Sequence, residues 1–109
     1  MIYNEQLDGI KLDVQTVDLT IDDSVKEHIR GMIRKLSRFI SEINFADVHF
    51  KEATSQTTDS RTVSVRLGIP GNDVFASVSG SEWPTLLDQV EDKLKSQLAK
   101  RKPDPSRDY

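Results

Sequence analysis

The 109-residue chain has no cysteine, which excludes disulfides and thiolate chemistry at once. That absence suits a reducing compartment, and a cytoplasmic protein is the expectation. Proline and glycine are sparse, at four and five residues, as in a globular domain rather than a linker or low-complexity chain. No apolar run approaches the roughly 20 residues that a membrane-spanning helix needs. The opening "MIYNEQLDGIKLD" lacks the basic and apolar regions of a secretory signal. What remains, 36% hydrophobic and 30% charged residues, describes one domain with a real but modest core.

Net charge is −3, but it is unevenly spread. Residues 1–23 hold six acids against Lys11 alone, a local charge of −5. From Lys93 to Lys102 there are five cations and no acid. A local patch of this kind sets the local potential whatever the net value.

Hydropathy patterning supplies the elements. "GIKLDVQTVDL" alternates with a period of two and predicts a strand over about residues 10–18. "DDSVKEHIRGMIRKLSRFI" changes to helical spacing, with Val25, Ile29, Met32, Ile33, Leu36, Phe39 and Ile40 on one side. Asp22 is its expected N-cap. Three more alternating segments follow: "FADVHFKEA", "RTVSVRLGI" and "VFASVS". "TSQTTDS" is a polar loop between the first two, and "PGND" is a tight turn before the last, with positive φ expected at Gly71 or Asn72. The second helix covers "SEWPTLLDQVEDKLKSQLAKRK", with Ser81 as a possible cap and Pro103 and Pro105 as stops.

The order β-α-β-β-β-α predicts an α+β two-layer sandwich. A four-stranded mixed sheet carries both helices on one face. Residues 1–9 read as an N-terminal extension, 10–102 as the domain and 103–109 as a disordered tail.

Catalytic chemistry finds no support. His28 and His49 fall on polar sides of different elements, where surface histidine is the plain reading. Phosphate-binding glycine patterns are absent, as are zinc-like and calcium-like clusters. A non-enzyme without metal or cofactor is expected. The cations are the remaining signal. Lys26, Arg30, Arg34 and Arg38 form an i, i+4 ladder on the polar side of the first helix, with Lys35 further round. Only Glu27 and Glu42 stand near as counter-charges. On the second helix, Lys93 and Lys100 share one flank, and Lys95 and Lys102 the other. Cations at a helix C-terminus also suit the dipole, so either helix alone admits a bland explanation. Packed side by side, the two basic faces could merge into one surface for phosphate backbones. No aromatics are interleaved, which favours folded or duplex RNA over single strands.

Three stretches carry a family resemblance: "LTIDDSVKEHIRGMIRKLSRF", "LGIPGNDVFASVSGSEW" and "LLDQVEDKLKSQLAKRK", the last matching a D-K-L-x-x-Q-L-x-K-x-K signature. In this order, over residues 10–102, the chain resembles the ribosome hibernation-promoting factors, also called ribosome-associated inhibitors or sigma-54 modulation proteins. The resemblance implies a fold similar to double-stranded-RNA-binding domains. It implies a partner, the small ribosomal subunit with its 16S rRNA, bound in the channel for mRNA and tRNA so that translation is blocked. Neither a membrane nor a small-molecule substrate is expected, and because the chain ends at Tyr109 the expectation is a short form of the family, without the C-terminal domain that pairs ribosomes. Carried over by position, Lys26, Lys35, Arg38, Lys93, Lys100 and Lys102 are the RNA-contacting candidates. Arg30 and Arg34 join them from the ladder. Ser96 and Pro84 depart from the family pattern, which often has a basic residue and a tyrosine there. The alternative is a protein-interaction module on the same fold, with weak or no RNA binding.

Overall fold

Segments of period two become strands and segments of period 3.6 become helices, but one strand escapes that rule. A computed structural model of the chain describes residues 2–17, 19–40, 42–53 and 60–101. The elements are β1 (Ile2–Leu7), β2 (Ile10–Val17), α1 (Asp23–Phe39), β3 (Phe45–Glu52), β4 (Arg61–Gly68), β5 (Val74–Gly80) and α2 (Trp83–Arg101). The loop expected at 54–60, apart from Ser60, lies outside the described residues, as do Lys102 and the tail at 103–109.

Among the described residues the sheet has five strands in chain order, not the expected four. β2 and β3 are parallel and joined through α1, while the other neighbours are antiparallel. The additional strand is β1, paired to β2 through the two-residue turn Asp8–Gly9. Positive φ at both turn residues, 52° and 85°, is the type I′ geometry that matches strand twist. β1 hides from hydropathy for a physical reason. Its helix-facing residues are Tyr3, Glu5 and Leu7, opposite Val14, Leu12 and Ile10, so its inner face is not uniformly apolar.

The other strands follow their alternation. Leu12 and Val14, Ala46, Val48 and Phe50, then Val63, Val65 and Leu67 are all buried on one face. They form a single cluster with the apolar stripes of α1 and α2. Phe50 meets Trp83 edge to face at 5.0 Å and 77°, tying the sheet to the start of α2. The opposite face is mostly polar, for example in the row Gln15, His49, Ser64 and Ser77.

Local signals at the helix starts divide. The carboxylate of Asp22 accepts from the Val25 amide at 3.0 Å, the expected cap of α1. The Val25 amide, and after it the Ser24 hydroxyl, hold Asp22 below the usual carboxylate range, against a smaller opposing effect of burial. Ser81 is not the cap of α2. The helix begins at Trp83, the carbonyl before it is that of Glu82, and it accepts from Leu86 at 3.0 Å. In the PGND turn the positive φ falls on Gly71, at 94°.

β5 is a sheet edge, and α2 covers it. The Gln97 side chain donates to the Phe75 carbonyl at 2.6 Å and accepts from the Phe75 amide at 3.2 Å. One glutamine thus imitates a neighbouring strand and blunts an edge that could pair with another chain. Gln97→Leu is expected to lose about 1 kcal/mol and to associate with rising concentration. Urea unfolding and light scattering would read this; unchanged values in both would refute the guarding role.

Candidate nucleic-acid interface

The cations named from the sequence can be taken rung by rung. Helical spacing does put Lys26, Arg30 and Arg34 in one row, and that row faces β1. The Lys26 ammonium stands 5.1 Å from the Tyr3 ring centroid. Arg30 donates to both oxygens of Glu5, at 2.8 and 3.2 Å, and to Glu27 at 2.9 Å. Arg34 reaches Asp8, the tip of the hairpin, at 3.4 Å. The ladder is therefore not short of acids. Besides Glu27, its acidic partners come from 25 and 26 residues away in sequence, on a hairpin that hydropathy does not reveal. The hydrogen bonds from Arg30 hold the Glu5 carboxyl below the usual carboxylate range, against the opposing effect of burial. Burial and the Glu5 charge push the Tyr3 phenol upward.

α1 meets α2 along its other side. His28 lies 2.8 Å from Asp88, and Lys35 lies 3.9 Å from Glu91. These contacts advance in the same sense along both helices, which run side by side in parallel. Glu91 is the charged group drawn furthest inside among the described residues, with 7% of its side chain exposed. Lys95, one turn on, approaches it to 3.0 Å and Lys35 completes its neutralisation. A buried carboxylate needs such partners. Lys35 is thus engaged in the seam between the helices.

On α2, Gln97 points to β5 while Asp88 and Glu91 point to α1. At 100° per residue, Lys93 and Lys100 share the Gln97 side. The basic faces of the two helices do not merge. The ladder lies toward β1 at one sheet edge, Lys93 and Lys100 lie toward β5 at the other, and the seam between holds Asp88 and Glu91. Arg38, Lys93 and Lys100 are exposed and have no acidic partner among the described residues. Lys102 lies outside the described residues.

The open sheet face carries a shallow groove of about 390 Å³, lined by Asp47, His49, Ser64, Arg66 and Phe75 among others. A hydrolase would need these groups linked. The Ser64 hydroxyl instead bonds to that of Ser77 at 2.9 Å, and no hydrogen bond joins His49 to Asp47 or Ser64 among the described residues. Nor is any group of His, Asp and Glu arranged to hold a metal among them. No described helix is long and apolar enough to cross a membrane.

A two-helix α+β domain with a one-faced mixed sheet and cations on the outer flanks of its helices is a recognisable class. The family model described as Sigma 54 modulation protein / S30EA ribosomal protein matches residues 12–103. The chain belongs to that family, one of ribosomal proteins rather than enzymes. Its fold is similar to the crystal structure of the Thermus thermophilus Protein Y N-terminal domain. That match has 18% identity and a TM-score of 0.69, covering 82% of this chain and 94% of that one. It is also similar to a ribosomal subunit interface protein from Coxiella burnetii, at 20% identity, TM-score 0.68 and coverage of 84% and 96%. Among curated proteins none matches the chain.

The Glu5–Arg30 contact makes a pH prediction. The folded pKa of Glu5 lies below its unfolded value of about 4.3. Its contribution is therefore full above that value and is lost as pH falls through the folded pKa. Glu5→Gln should lower the urea midpoint at pH 7, and the gap to wild type should close in acid. Equal midpoints at pH 7 would show that the pair adds nothing.

Proposed function

We propose that the chain is a hibernation factor that binds the small ribosomal subunit and inhibits translation, docking on 16S rRNA in the channel for mRNA and tRNA. The observation that carries this reading is the family match across 12–103, which spans both helices and nearly the whole of β2 to β5. The distribution of cations supports the channel in particular. Cations on both outer flanks suit a protein gripped between RNA walls better than one lying on a single duplex. The relation to double-stranded-RNA-binding domains belongs to the same proposal, since such domains read shape and phosphate position. A ribosomal partner also implies the cytoplasm.

Within the eight candidates the structure suggests an order. Arg38, Lys93 and Lys100 make first contact, because among the described residues they have no acid to leave. Lys102 stands with them on the motif alone. Lys26, Arg30, Arg34 and Lys35 already have partners and join only by exchanging them. The second reading, a protein-interaction module, draws on Ile2, Val17 and Phe75, the exposed large hydrophobics among the described residues, which all lie on the open sheet face.

The test is charge reversal. Lys93→Glu combined with Lys100→Glu should remove the chain from 30S subunits in a pelleting assay while leaving the urea midpoint near that of wild type. Wild-type co-sedimentation by the folded double variant would contradict the assignment of this flank.

A further inference from the structure

The family match begins at residue 12, so β1 and the Asp8–Gly9 turn lie outside it. This added hairpin meets the first three rungs of the basic ladder. Tyr3 covers Lys26, Glu5 takes Arg30 and Asp8 takes Arg34. The match has a geometric basis. Residues four apart on a helix are separated by about 6 Å along its axis. Residues two apart on a strand are separated by about 6.8 Å. A strand running beside α1 thus presents Tyr3 and Glu5 at nearly the ladder's own repeat, and Asp8, in the turn just past the buried Leu7, reaches the third rung.

We propose that β1 is an acidic cover over a latent phosphate-binding site formed by Arg30 and Arg34, and that Glu5 and Asp8 occupy it in place of RNA phosphates. The class of ligand rests on the ribosomal reading above. The chemistry is that of anion exchange. A guanidinium fork accepts a carboxylate or a phosphate in the same bidentate manner. An arginine already paired must release one anion to take another, so it adds little to affinity or to salt dependence. Uncovering does not require the strand to leave. Leu7 is buried and the β1–β2 register holds the backbone, but the side chains of Glu5 and Asp8 are 25% and 65% exposed and can turn outward.

The test uses the full chain, an RNA duplex of about 16 base pairs and 30S subunits as probes, and three variants. Glu5→Gln with Asp8→Asn lifts the cover. It should bind the duplex about tenfold more tightly at low salt, with a salt slope steeper by about 1.8, the value for two further phosphate contacts. Arg30→Gln with Arg34→Gln should scarcely change either quantity in the wild-type background. In the uncovered background it should erase the gain. Equal binding by wild type and the uncovered variant overturns the cover. So does a slope that falls by about 1.8 when the arginines are removed from wild type, since they would then already hold phosphate. That second arm stands even if the uncovered variant fails to fold. Wild-type binding to 30S subunits, scored separately, stays intact if only the cover is wrong. Failure of every protein to bind either probe removes the cover and the ribosomal reading together.

Discussion

A sheet that is apolar on one face only must put both helices on that face, and most of the molecule follows from this. Two helices side by side over five strands leave α1 nearer the β1 edge and α2 nearer the β5 edge. Their shared seam then lies above the middle of the sheet. Each helix has one flank turned inward to its neighbour and one turned outward to a sheet edge. Every polar contact of functional interest falls into one of those three places.

The electrostatics follow the same division. Charges in the seam are matched, with His28 against Asp88 and with Lys35 and Lys95 around the buried Glu91. Charges on the β1 flank are matched by an acidic strand. On the β5 flank, Lys93 and Lys100 face no acid among the described residues. A chain of net charge −3 can therefore keep a usable positive surface, because its acids are placed against particular cations rather than spread evenly. The cost is that a count of basic residues overstates the surface available to an anion.

Much of the fold was legible in the sequence, because alternation and helical spacing report burial directly. Phe50, Leu67, Leu94 and the Asp22 cap lie where patterning put them. β1 was not legible by that route, since its inward residues include Glu5. A different signal was available: Asp-Gly between Leu7 and Ile10 is a strong short-range hairpin mark. The candidate interface was half legible. Spacing gave the ladder and the common flank of Lys93 and Lys100. It gave Glu27 beside Arg30 but not Glu5 and Asp8, the long-range partners of Arg30 and Arg34. Nor could it show that the two basic faces point away from each other, which depends on how the helices sit over the sheet. Gln97 looked like part of a binding signature and instead protects the β5 edge.

Attachment to the ribosome through phosphate contacts has a direct physical signature. The decisive measurement is the sedimentation of the chain with 30S subunits through sucrose gradients at low and high salt, with and without nuclease. A chain held by the cations of its helices travels with the subunit at low salt and is released both by high salt and by nuclease. A chain that stays at the top of the gradient at low salt, or one that keeps its partner after nuclease and high salt, would contradict ribosome binding by these helices.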